Sequence, residues 1–95
     1  MTKTDLINAV NDRANDGGIE LTKKDTGELL DIVFDVVAGA VSHERRFSYP
    51  GFGTFSVKHR KEREGRNPRT GKPIKIPASY TVGFKPAPKL RDEVN

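Results

Sequence analysis

The 95-residue chain has no cysteine and no tryptophan, and its only methionine is Met1. Without cysteine there can be no disulfide, thiolate metal site or cysteine nucleophile, and the composition fits a reducing compartment. Histidine is nearly absent too. His43 and His59 fall in different elements, too few for the usual metal or triad constellations. His43 reads as a cation at a helix end, and His59 as a polar residue of an exposed arm. No apolar run approaches the roughly 20 residues of a membrane helix, and Asp5, Asn8 and Asn11 interrupt any signal-peptide core. "PGFG" (50–53) lacks the spacing of a phosphate-binding loop. Asp31 and Asp35, one helical turn apart, read as a solvated strip. The expectation is one soluble, cytoplasmic domain over residues 1–95, not an enzyme. No catalytic residue, metal, cofactor, small-molecule substrate or membrane partner is expected.

What the chain does have is unevenly placed charge. Residues 1–57 carry six Lys/Arg and nine Asp/Glu, and residues 58–95 carry eleven and four. A net charge of +4 therefore combines −3 with +7. Eight cations (Lys58, Arg60, Lys61, Arg63, Arg66, Arg69, Lys72 and Lys75) fall within residues 58–75, against Glu62 and Glu64. Such a density favours a polyanionic partner, although a solvated loop fits charge alone equally well.

The first half reads as helical. Thr2-Lys3-Thr4-Asp5 has the form of a capping box, and Leu6, Ile7, Val10 and Ala14 follow at helical spacing. A helix over 3–15 is expected, ended by "NDGG" (15–18). Thr22-Lys23-Lys24-Asp25 repeats the pattern and opens a second helix to about residue 43. Its apolar arc, from Leu29 to Val41, is wider than a surface helix needs, which points to a dimer. Residues 1–46 are thus assigned as the helical, dimerising part, and 47–95 as sheet, arm and C-terminal helix.

Strands follow. Phe47 and Tyr49 alternate with Ser48, and "PGFGTF" (50–55) marks a tight turn or bulge. Phe55 and Val57 share one face. From Ile74 to Lys85 a long alternation sets Ile74, Ile76, Ala78, Tyr80, Val82 and Phe84 on one side. A short helix starts at Pro86 or Pro88, anchored by Leu90 and Val94. The aromatic positions fit core patterning better than base stacking.

Residues 58–66 are different, because both strand faces are charged. A strand packed on a core has an apolar face, so this ribbon is expected to stand in solvent as an arm at residues 58–76. At its tip, Asn67-Pro68-Arg69-Thr70 fits a type I turn, with Gly71 free to take positive φ. Cations on both faces of a narrow ribbon suit the walls of a DNA groove. Pro68 either presets the turn or wedges between base pairs.

"PGFGTF", the basic run, "GRNPRTGKPIKIPAS" and "VGFKPAPKL" together closely resemble the bacterial HU family of histone-like DNA-bending proteins, related to integration host factor. The resemblance covers residues 1–14 and 22–95, and the "GRNP-x-TG" arm is its most specific part. It implies an α+β fold: a two-helix base, a three-stranded antiparallel sheet with an extended β-ribbon arm, and a short C-terminal helix, in an intertwined dimer. It implies binding and bending of double-stranded DNA through the minor groove and phosphate backbone, with little sequence specificity, compacting the nucleoid. Alternatives are a site-specific bender like integration host factor, or a single-strand or RNA binder. The partner subunit is a second copy or a paralogue. The implied DNA-binding residues are Lys58, Arg60, Lys61, Arg63, Arg66, Asn67, Pro68, Arg69, Lys72, Lys75, Lys85 and Lys89, with Pro68 as the intercalating wedge. Phe47, Phe52, Phe55 and Phe84 fall on the dimer core. Three features depart from the family pattern: the longer linker "NDGGIEL", "HERRFSY" in place of a Gly-Asp turn, and Pro88 where lysine is common. Arg45 and Arg46, in the second of these, read either as added phosphate contacts or as plain surface.

Overall fold

A computed structural model describes residues 1–95. The chain divides into two compact units, Met1–Gly39 and Ala40–Asn95.

In the first unit, α1 spans Lys3–Asp16 and opens with the full capping box: Thr2 Oγ1 accepts from the Asp5 N–H, and the Thr2 N–H donates to Asp5. Two orphan amide donors are thereby satisfied at the helix start. Gly18, at φ 85°, ends the helix. The Ile19 N–H reaches the Ala14 carbonyl at 2.8 Å and the Gly18 N–H reaches that of Asn15 at 3.1 Å, the paired bonds of a Schellman motif. The long linker is therefore ordered by its own glycine. It is also pinned by side chains. Buried Asn11 donates through Nδ2 to the Leu21 carbonyl (2.8 Å) and to Thr26 Oγ1 (3.1 Å), and Asn15 Oδ1 accepts from the Leu21 N–H. Helix α2 spans Lys23–Glu44, its last residues belonging to the second unit, with Thr22 Oγ1 accepting from the Asp25 N–H. Leu29, Ile32, Val33, Phe34 and Val36 of α2 are all exposed.

The second unit holds β1 (Arg46–Tyr49), β2 (Gly53–Arg60), β3 (Arg63–Arg66), β4 (Pro73–Ile76), β5 (Ser79–Pro86) and α3 (Pro88–Glu93). An antiparallel sheet has the order β1-β2-β5, and β3 pairs with β4 in a two-stranded ribbon. The Phe52 N–H bonds to the Tyr49 carbonyl at 3.0 Å, closing a four-residue turn with Pro50 second and Gly51 third at φ 80°. These are the positions a type II turn assigns to proline and glycine. Gly53 is obligatory for packing: a Cβ there would lie 2.6 Å from both the Lys85 carbonyl oxygen and the Phe84 ring.

One sheet face carries Phe55, Val57 and His59 opposite Phe84, Val82 and Tyr80. The Phe55 and Phe84 rings lie 4.6 Å apart, and Phe52 and Phe84 5.4 Å. Yet Phe84 is 42% exposed, Val82 57% and Tyr80 67%, and Val41 is the one buried hydrophobic side chain in the chain. The single chain holds its apolar surface ready but does not bury it.

Three expectations from the sequence are revised. The alternation read as continuous from Ile74 to Lys85 is interrupted at residues 77–78, opposite a gap at 61–62. Pro77 has no N–H to give the ladder, which accounts for the break. Val94 is not an anchor of α3. It lies past the helix end and is 79% exposed, whereas Leu90 is half-buried. The tip turn is one residue longer than a β-turn: the Asn67 carbonyl accepts from the Gly71 N–H at 2.8 Å.

Candidate nucleic-acid interface

The ribbon grows out of β2 and β5. Their pairing runs from Gly53↔Pro86 to Arg60↔Ser79, and resumes in the same register as Arg63↔Ile76 through Arg66↔Pro73. The interruption therefore costs ladder bonds without shifting which side chains share a face. Lys58 and Arg60 lie on the outer face of β2, opposite Thr81 and Ser79, and Lys61 falls in the gap. Arg63 shares a ribbon face with Ile74, Ile76 and Gly65, while Glu64, Arg66 and Lys75 share the other. The ribbon is not wholly without apolar contact. A Cβ on Gly65 would meet the Ile76 Cδ1 at 3.0 Å, so the isoleucines of β4 close over bare backbone on one side.

At the tip, the Asn67 N–H donates to the Lys72 carbonyl (2.9 Å) and Asn67 Oδ1 accepts from the Arg69 N–H (2.9 Å). Asn67 thus organises the turn with both its backbone and its side chain. Gly71, at φ 69°, supplies the left-handed residue that a five-residue closure needs. Pro68, Arg69 and Lys72 are exposed around it. Lys75 forms an exposed ion pair with Glu62 at 2.8 Å, across the gap in pairing, an interaction worth little in water and easily exchanged for another anion. Lys85 sits near the end of β5 and Lys89 in the first turn of α3, both exposed.

The outer face of the sheet adds residues that charge counting passes over. Arg46 pairs with Ser56, and Ser48 with Thr54, whose hydroxyls are 3.1 Å apart. With Lys85 these residues line a concavity of about 510 Å³ beside the Pro50-Gly51 turn and the start of α3. The signal for them was available in the alternation. Thr54 and Ser56 have the parity of Lys58, so they belong to its face.

The remaining candidates are placed elsewhere. Asp31 pairs with Lys3 at 2.8 Å, and Asp35 is exposed. His43 lies in the last turn of α2. His59 is not an arm residue: it lies in β2 opposite Tyr80, the two rings tilted by 58° with centroids 5.1 Å apart, and the Arg45 guanidinium sits 5.3 Å from the centroid of the same tyrosine. Arg45 takes φ 67°, the one non-glycine residue in the left-handed region. No three His, Asp or Glu side chains converge as a metal site would need, and no helix is long and apolar enough to cross a membrane.

A helical unit, a small antiparallel sheet and a two-stranded basic ribbon with a proline at its exposed tip define the class of β-arm nucleic-acid-binding proteins. The comparisons narrow that class. The family model described as bacterial DNA-binding protein matches residues 1–95, and the chain belongs to that family. It is 46% identical over 95 residues to DNA-binding protein HU-1 of Halalkalibacterium halodurans, covering all of both chains. It is 45% identical to DNA-binding protein HU of Staphylococcus aureus, covering 99% of each. Among solved structures it superposes on HU from an Anabaena HU–DNA cocrystal with a TM-score of 0.87, at 34% identity, covering 99% of this chain and 97% of that one. An HU mutant from Thermotoga maritima aligns over the full length of both chains with a TM-score of 0.66 at 25% identity.

Proposed function

We propose that two copies of this chain form an intertwined dimer that binds double-stranded DNA with little sequence preference and bends it, as an architectural protein of the nucleoid and not as an enzyme. The observation that carries this reading is the basic ribbon itself. It continues the sheet in unbroken register and brings exposed cations on both faces to a tip capped by Pro68. Each ribbon lies along the minor groove. Arg63 and Lys75 meet phosphates along its length, Lys58, Arg60 and Lys61 meet them where the ribbon leaves the sheet, and Arg66, Asn67, Arg69 and Lys72 meet the duplex around the tip. Lys85 and Lys89 hold the DNA nearer the body.

The mechanism is charge neutralisation joined to deformation. Cations displace condensed counterions, which gives affinity without reading bases. Each Pro68 enters a base step and unstacks it at a cost of roughly a few kcal/mol, and the further phosphates that the bent duplex brings against the protein offset that cost. Wedging of this kind is an established property of minor-groove architectural proteins. Phe47, Phe52, Phe55 and Phe84 form the shared core of the dimer, which supplies the cover that the sheet face and α2 lack in one chain. The family match favours this reading over a site-specific bender or a single-strand binder.

A competition titration across linear, nicked and single-stranded DNA tests it. Nicked duplex is expected to bind best and single strands worst. With about eight phosphates neutralised per dimer, log K falls against log salt with a slope near −7. A flat salt dependence, or preference for single strands, would remove the proposal.

A further inference from the structure

Glycine in the interior of a strand costs stability and usually marks a close approach by another group. Gly83 is in the middle of β5, and the group that approaches it is a cation. A Cβ built there would lie 2.7 Å from the Lys58 Cε, 3.1 Å from its Cδ and 3.1 Å from its Nζ. Lys58 pairs directly with Thr81, while Gly83 pairs with Ser56. The Lys58 side chain therefore does not extend over its own cross-strand neighbour. It leans diagonally, two register positions toward the body, and lies over the bare backbone of Gly83. Its ammonium ends beside the row Arg46, Ser56 and Gly83, on the same face as Lys85 and the hydroxyls of Ser48 and Thr54.

We propose that Gly83 is a positioning residue for DNA binding: its missing side chain seats Lys58 across the sheet and holds its ammonium on the outer body face, so that one phosphate is met there rather than farther out on the ribbon. The inference rests on the DNA-binding reading above. Lysine has a flexible four-carbon stem, and ordering such a side chain is part of what binding costs. A stem already laid along the sheet has spent part of that entropy on folding. A β-carbon at position 83 would meet the end of the exposed Lys58 stem and force it to shift off the strand.

The test is a double-mutant cycle on the full-length dimer with a nicked duplex, following affinity, salt slope and thermal melting for the wild type, Gly83→Ala, Lys58→Gln and the double variant. Gly83→Ala is expected to melt at or above the wild-type temperature and to bind about two- to tenfold more weakly, with a shallower salt slope. In the Lys58→Gln background the same substitution is expected to change nothing. Wild-type affinity for Gly83→Ala, or an undiminished penalty in the Lys58→Gln background, would overturn the assignment while leaving the DNA-binding reading intact. Failure of the wild type to bind duplex would instead remove that reading. Should Gly83→Ala fold poorly, the wild type alone still decides. Nuclear Overhauser contacts from the Gly83 Hα to the Lys58 Hε protons are expected, and their absence overturns the seat.

Discussion

Proline at position 68 does two things at one place. Its ring fixes φ and offers no N–H, which suits the second position of the tip turn, and the same rigidity suits insertion between bases. The roles separate by measurement. Pro68→Ala is expected to reduce DNA bending, read by energy transfer between duplex ends, while retaining most of the affinity, because the phosphate contacts remain. Unchanged bending would leave Pro68 as a turn former only. Gly53 presents a purely structural demand. With the Lys85 carbonyl oxygen and the Phe84 ring both 2.6 Å from where a Cβ would stand, Gly53→Ala must push β2 and β5 apart or tilt the phenyl ring. A loss of about 1–3 kcal/mol is expected in urea unfolding.

Among the elements, α1 shows how a local rule was readable in full. Thr2 and Asp5 are three apart, and the capping box forms as written. The Asp5 carboxyl is held below its ordinary 3.8 by the hydrogen bond from the Thr2 backbone first and by the Thr2 side chain second. A depressed carboxyl pKa stabilises the fold above the unfolded value and loses that contribution as pH falls through the folded one. The wild type is therefore expected to melt above Asp5→Asn at neutral pH, with the gap closing as pH drops below 3.8. A gap that persists undiminished well below that value would dissociate Asp5 from the cap. The "NDGG" stop, both long helices and the charged ribbon were legible for the same reason: each is set by residues close in sequence. The break at Pro77 was hidden because side-chain alternation continues through it, while the missing backbone donor leaves no mark on that pattern. The seat of Lys58 was hidden because it joins two distant positions, 58 and 83, that meet only once the register of β2 and β5 is known.

At the scale of the molecule, the second subunit follows from the exposed apolar surface. A chain in which Phe34 is 59% exposed and Val36 65% has nowhere to place these side chains except against another copy. Each is worth roughly 1.5–3 kcal/mol when fully buried. The melting temperature is accordingly expected to rise with protein concentration, as it does when folding and association are linked. Phe55→Ala is expected to cost about 3–5 kcal/mol of dimer stability, and sedimentation showing an equally stable dimer would place Phe55 outside the shared core. The charge asymmetry belongs to this scale as well. The basic excess of residues 58–95 falls within the second unit, so that unit is the one a polyanion attracts.

The uninterrupted register through the gap at 61–62 and 77–78 has an evolutionary corollary. Parity ties every arm side chain to its side of the ribbon, so losing one residue from a single strand would invert that strand's side chains beyond the loss, and Gly65 would no longer lie beneath the isoleucines of β4. Only matched changes in both strands preserve the pattern, so such an arm lengthens or shortens in pairs while its individual cations are free to drift.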